Sequence, residues 1–212
     1  MNMEKTFRMA AATFLLALCV GCATSRSEID VVAPSLAQPA ASATSKGKVY
    51  ISATDERVFE AKPSQADIPS LKNAEIGDSS ITQRAIGRKR NGYGKALGDV
   101  LLPSGRTVSA LVADSVASAY KQAGYEVVSE PSTAGATEIK VRVKEFWSWF
   151  SPGFLYVTVN NKSRLDIEAA GQKKMEIVTL TSDGMQAVTD SDWKAITEAG
   201  LRQITEETAN KL

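Results

Sequence analysis

The side chains of this 212-residue chain that could do acid–base chemistry are chiefly its 24 carboxylates, and none is a histidine. Without imidazole the chain lacks the usual general base, the usual activator of a Ser or Cys nucleophile and the commonest metal ligand. Carboxylates remain. Glycan hydrolysis by carboxylates needs two acids facing one cleft, and no pairing in the sequence points to two such acids. The stretch Gly92-Tyr93-Gly94-Lys95-Ala96-Leu97-Gly98 invites a nucleotide reading. A dinucleotide fingerprint would need its third glycine at Leu97, and a phosphate-binding loop would need Ser or Thr where Ala96 follows Lys95. Neither condition is met, so no nucleotide and no other cofactor is expected.

Three clusters remain as candidates for binding. Arg84, Arg88, Lys89, Arg90 and Lys95 lie among Gly87, Gly92, Gly94 and Gly98. On a glycine-rich loop these cations could contact lipid phosphates, lipopolysaccharide or an acidic protein patch. The blander and favoured alternative is a solvated loop whose charges pair with Asp78 and Asp99. Phe146, Trp147, Trp149, Phe150, Phe154 and Tyr156 crowd the end of an expected hairpin. Aromatics are enriched where partners or membrane interfaces are met, though half of these could simply cover the end of the core. Asp55 and Arg57 stand two apart at a strand end and read as a surface ion pair contributing less than about 1 kcal/mol. Asn161-Lys162-Ser163 matches a glycosylation sequon in form only.

The one motif with covalent chemistry is at the start. Lys5 and Arg8 precede an apolar run over residues 9–20, far short of the roughly 20 residues that span a bilayer. That is the pattern of a signal peptide over residues 1–21. It ends in Cys19-Val20-Gly21-Cys22, which resembles the lipobox of bacterial lipoproteins, where a small residue precedes a Cys that is acylated and becomes the new N-terminus. The match departs from the pattern in having Cys19 where Leu is preferred. The competing frame, Leu16-Ala17-Leu18-Cys19, would place bulky Leu18 at the cut. The resemblance implies lipidation of Cys22, and several fatty chains hold stably because each buried methylene contributes about 0.8 kcal/mol. Ala23 rather than Asp after the Cys implies sorting to the outer membrane. Cleavage would leave Cys22 alone, its sulfur occupied, so no internal disulfide is expected.

The elements that must carry these residues follow the tether. Residues 22–46 are rich in Ala, Ser, Thr and Pro and read as a flexible linker, holding the body about 25–30 Å from the lipid. Residues 47–212 are expected to form one periplasmic domain, since 43% hydrophobic and 23% charged residues in this length suffice for one core. Val49 and Ile51 alternate in a first strand, 57–83 reads as a polar excursion, and 84–98 as a loop. Val108, Leu111, Val112, Ser115, Val116, Ala119 and Tyr120 recur at helical spacing, closed by Gly124. A short return strand follows at 125–128. Ile139, Val141 and Val143, then Leu155 through Ile167, then 175–181 alternate as strands of a meander. Thr189 or Asp190 caps a last helix lined by Trp193, Ile196, Gly200 and Ile204. The order β-α-β-β-β-α predicts an α+β fold, an antiparallel meander sheet with two amphipathic helices packed on one face.

These pieces resemble the YajG-like family of bacterial lipoproteins. The points of likeness are the lipobox, a strand ending in Asp55-Glu56-Arg57, Ile86-Gly87, a helix closing on Gly124-Tyr125-Glu126-Val127, and a charged strand after it. The likeness covers roughly residues 22–143, and the interval between Arg57 and Ile86 is longer than the family's. It implies an envelope lipoprotein and names no catalytic residues. A balance of 25 basic against 24 acidic residues argues against a nucleic-acid partner. The expectation is a non-enzymatic binding or assembly module of the cell envelope, lipid-anchored at the outer membrane and facing the periplasm. Its expected partners are the membrane and an envelope protein, met through Arg88, Lys89, Arg90, Lys95, Trp147, Trp149 or Phe150. The alternatives are an auxiliary lipoprotein of a transport system, contacting lipid or a transporter subunit, and a carboxylate-based wall hydrolase.

Overall fold

The structure, a computed structural model, describes residues 25–34 and 45–212. The leader and Cys22 lie outside the described residues. One strand organises the fold. β6 (Ala136–Pro152) is the longest, and it pairs along one whole edge with β7 (Val157–Ala169), which pairs in turn with β8 (Met175–Met185). These three form the expected antiparallel meander.

The other edge of β6 is divided. Its first half pairs in parallel with β2 (Lys48–Asp55), from Lys48 opposite Ala136 to Asp55 opposite Val143. Further along, Ser148 pairs in parallel with Gly87 of β3 (Ala85–Arg90). β3 continues antiparallel to β4 (Ala96–Leu101), β4 pairs in parallel with β1 (Ser27–Glu28), and β5 (Glu126–Val128) lies parallel to β2. The sheet is therefore mixed and eight-stranded rather than an antiparallel meander. Alternation of apolar and polar residues sets which face a side chain takes, and it carries no information on strand direction.

Two segments read as irregular are part of this body. Residues 25–34, assigned to the flexible linker, hold β1, with Ile29 and Val31 buried in the main core. Residues 57–83, read as an excursion, bury Leu71 against Ala85, Leu101 and Trp147, with Phe59, Ile76, Ile81 and Trp149 packed around them. This segment covers the sheet face opposite the two long helices. It carries a short helix, α1 (Ser79–Thr82), capped by the Asp78 side chain.

The helices follow their sequence pattern. α2 (Val108–Gln122) is capped by Thr107 and buries the face expected of it, Val108 through Tyr120. Gly124, at φ +93°, ends it in a conformation that L side chains rarely adopt. α3 (Asp190–Asn210) starts in a capping box, with the Asp192 carboxylate accepting from Thr189 N at 2.7 Å and from its hydroxyl at 2.6 Å. Both pack on the same face of the sheet, α2 over β2 and α3 over β7 and β8. At Gly200 the second helix comes so close that a Cβ would lie 2.0 Å from Asn161 Oδ1.

Where β2 and β3 part along β6, Arg57 fills the gap. Its guanidinium donates from Nε and Nη2 to the two Asp55 oxygens at 2.8 and 2.7 Å, and to the carbonyls of Ala85 at 2.6 Å, Phe146 at 3.1 Å and Thr82 at 2.9 Å. The side chain is fully buried. The pair is thus an internal tie rather than the expected surface ion pair, because three main-chain acceptors on different elements would otherwise lose their partner.

Replacing Arg57 by Met is expected to destabilise by about 3 kcal/mol in urea unfolding, with Arg57→Lys recovering less than half, since one ammonium cannot reach all these acceptors. Gly200→Ala should cost about 1–3 kcal/mol. In the same assay the double variant with Asn161→Ala should cost less than the sum of its parts, showing that the two positions share one contact.

Candidate functional site

The basic cluster is placed by β3, and strand geometry sends its side chains to opposite faces. Arg88 and Lys89 are buried, each 7% exposed. On one face Arg88 Nε lies 3.2 Å from Asp99 Oδ1, and Arg26 Nη2 donates to Asp99 Oδ2 at 2.8 Å. Asp99, from β4, is 1% exposed and so answers two guanidinium groups. Arg26 also pairs with Glu75 at 2.8 Å. Bonding to Asp99 above all, and then to Glu75, raises the Arg26 pKa further despite its partial burial.

Across the strand, Lys89 Nζ donates to Ser27 Oγ at 2.6 Å and to Asp190 Oδ1 at 3.0 Å. Ser27 Oγ also contacts both Asp190 oxygens at 2.9 Å. Lys89 thereby ties the N-terminal strand to the first residue of α3. Arg90 donates to Gly94 O at 2.9 Å and Ser70 Oγ at 2.8 Å, and its pKa is lowered by burial first and by neighbouring Arg88 second. Arg84 donates to Leu102 O at 2.8 Å and to Glu28.

The solvated-loop reading and the open binding-loop reading are both corrected by these contacts. The cations of β3 hold strands and a helix together, and among them Asp99 is a partner, whereas Asp78 caps α1. Lys95 alone of the five lies exposed, in the turn between β3 and β4.

The aromatic cluster divides in the same way. A register shift between Val143 and Glu145 resets the alternation of β6. Phe146 then packs in the core under the helices, while Trp147 is buried on the opposite face with its indole donating to Ala66 O at 3.3 Å. Trp149 and Phe150 are half-buried. Trp147 is therefore core, not contact surface. Exposure is concentrated in the turn that follows, where Phe154 is 100%, Leu155 80% and Tyr156 59% exposed. Tyr93, in the turn between β3 and β4, is 99% exposed. Leu155 and Tyr93 were not singled out as contacts by the sequence reading, although their place in Gly-flanked turns between strands gave the signal.

For acid–base chemistry the described surface offers little convergence. One depression, lined in part by Asp55, Arg57, Phe59 and Thr82, contains a single carboxylate, and Arg57 already occupies it. Another, beside Tyr125 and Lys174, contains Glu176 as its only acidic side chain. Among the described residues there is no group of three or more His, Cys, Asp or Glu placed to hold a metal ion, and no helix long and apolar enough to cross a membrane.

No family model and no curated protein matches the sequence, so the likeness to the YajG-like family stays with its short motifs. Solved structures similar to this chain include an uncharacterised protein at 9% identity, covering 89% of this chain and 97% of that one, with a TM-score of 0.46. Also similar are a Xanthomonas campestris protein of the DUF330 family, at 12% identity over 89% and 93% of the two chains with a TM-score of 0.47, and a minor lipoprotein from Acinetobacter baumannii. The last match has 15% identity, covers 48% of this chain and 84% of the other, and has a TM-score of 0.35.

Changing Arg88, Lys89 and Arg90 together to Ser should lower stability by about 3 kcal/mol or more, because it leaves buried Asp99 with Arg26 as its one remaining guanidinium and removes the Lys89 tie between β1 and α3. Lys95→Ser should stay within about 0.5 kcal/mol. Paired thermal and urea melts would reveal the difference, and equal melts would return the cluster to the surface.

Proposed function

We propose that this chain is a non-enzymatic lipoprotein of the cell envelope, anchored through lipid on Cys22 at the outer membrane and working on the periplasmic side as a binding or assembly module. The observation that carries the reading is Gly21-Cys22 closing a short basic-then-apolar leader. The structure is compatible with it in two respects. No helix among the described residues is long and apolar enough to cross a membrane, and a lipid anchor requires none. The polar side chains offered as contacts by the sequence are mostly spent on internal ties, which favours a scaffold that presents a surface over one that turns over a substrate.

A second reading, an auxiliary lipoprotein of a transport system, shares the anchor and differs in its partner. The YajG-like motifs favour the envelope placement and do not choose between the two. Crosslinking in intact cells separates them by retrieving an envelope assembly or a transporter subunit. The anchor itself is tested by Cys22→Ser, which should abolish incorporation of labelled fatty acid and release the protein from the membrane fraction. Persistent labelling would move the anchor elsewhere.

A further inference from the structure

Three features that are far apart in sequence leave the sheet at one end. β3 and β6 run parallel, with Gly87 opposite Ser148, so the turn after β3 (residues 91–95) and the turn after β6 (153–156) emerge in the same direction. β1 runs parallel to β4, with Ser27 opposite Val100. Followed backwards from Ser27, the chain moves along β4 toward Ala96, at the base of the first of these turns. Ser25 lies so tightly on that strand that a Cβ on Gly98 would be 2.4 Å from its carbonyl oxygen. The N-terminal segment therefore enters the fold beside the same two turns.

The side chains at this end are those a water-soluble surface would not be expected to display. Phe154, Leu155, Tyr156 and Tyr93 are exposed at 100%, 80%, 59% and 99%, and the other large apolar side chains as open as Tyr156, Val58 at 77% and Leu180 at 62%, stand singly elsewhere in the fold. Residues 146–161 contain no charged side chain. On the neighbouring strand Asp183 sits back from the turn opposite Val159, and the chain leaving β8 at this end carries Asp190, paired with Lys89, and Asp192, engaged in the α3 capping box, while the first turn contributes Lys95 and the adjoining Arg90. At the opposite end of the sheet the turns hold Glu130, Gln172, Lys173 and Lys174 instead.

We propose that the end carrying residues 91–95 and 153–156 faces the bilayer, with Phe154, Leu155, Tyr156 and Tyr93 seated in its interfacial layer and Lys95 among the lipid headgroups. Aromatic and aliphatic tips with a nearby cation are the chemistry that this layer accepts. The occupant is a lipid surface because of where the chain comes from. Only Ala23 and Thr24 separate Cys22 from Ser25, a reach of at most about 11 Å. An anchor at Cys22 brings the bilayer to this end and to no other. It also makes contact intramolecular, so tips too weak to hold a free protein to lipid suffice once tethered. The inference rests on the anchor proposed above and adds the orientation of the body.

The test uses the mature lipoprotein in vesicles of phosphatidylethanolamine and phosphatidylglycerol, with an environment-sensitive fluorophore on a single introduced thiol. Leu155→Cys and Tyr93→Cys should report a blue-shifted probe that brominated lipid quenches severalfold more strongly than a probe at Gln172→Cys in the far turn. The change F154D with L155D, at exposed positions, should leave the melting transition in place and remove the blue shift at Tyr93→Cys. Probes at 155 and 93 as open to aqueous iodide as the one at 172, in protein whose Cys22 carries lipid by mass spectrometry, would overturn the orientation and leave the anchor standing. So would a blue shift that brominated lipid does not quench, which would assign these tips to a protein partner or a second copy. An unmodified Cys22 would instead remove the anchor, and the orientation with it.

Discussion

A long strand that must serve two separate neighbours along one edge leaves a stretch of backbone between them with no ladder to join. In β6 that stretch lies between Val143, the last residue opposite β2, and Ser148, the residue opposite β3. Arg57 closes it because a flat guanidinium presents five donors in fixed directions and can answer carbonyls on three different elements while Asp55 balances its charge. Much of the fold is downstream of that tie. It fixes the carbonyl of Phe146 just after the register shift, so Phe146 faces the helices and Trp147 faces away. Trp147 then supplies the surface on which Leu71 and Phe59 fold residues 57–83 over the second face, with Phe59 and Trp147 meeting edge-on at 6.0 Å.

The first face is held differently. Under α3 the sheet presents Ser148, Asn161, Ser163 and Thr179, all buried, and the helix replies with Thr197, Gly200 and Thr205. Asn161 donates to Ser148 Oγ at 2.9 Å, and Thr205 Oγ1 reaches Ser115 O on α2 at 3.1 Å. Small polar side chains let the helix approach closely, where large apolar ones would hold it off. The associated cost is borne by acceptors such as Asn161 Oδ1, which finds no hydrogen-bond donor among the described residues. Such an interior specifies one helix position more strictly than an oily one, since a sliding helix would part polar groups from their partners.

Sequence alone revealed the elements whose burial is periodic and local. The buried face of α2 and the lining residues of α3 are those their spacing selects, and the alternation of β6 to β8 gave the meander. Direction and neighbours were not legible, because a parallel and an antiparallel strand bury the same alternate residues. β3 was hidden for another reason. Ala-Ile-Gly-Arg-Lys-Arg has the composition of a solvated loop, and only partners on other elements, such as Asp99 for Arg88 and Ser27 and Asp190 for Lys89, make it a buried strand. The N-terminal strand was legible and passed over: Ser27, Ile29 and Val31 are buried while Glu28, Asp30 and Val32 are exposed, a short period of two inside a composition typical of linkers. As for the candidate site, the turn aromatics could be read as exposed from their flanking glycines and proline. That Trp147 belongs to the interior depended on the register shift, which no residue pattern announced.

The zipping of β1 onto the sheet changes what a tethered body of this kind can reach. A long slack leash would let it search a volume far from its mooring and meet partners embedded in other layers. If lipid on Cys22 is the mooring, as proposed, the chain becomes strand within a few residues of it and has almost no leash, so a partner would have to come to the lipid surface rather than be visited. Tension on the mooring would also not be absorbed by uncoiling. It would run directly into the parallel hydrogen bonds between β1 and β4 and into the Lys89–Asp190 tie behind them, making this edge strand the mechanical fuse of the molecule.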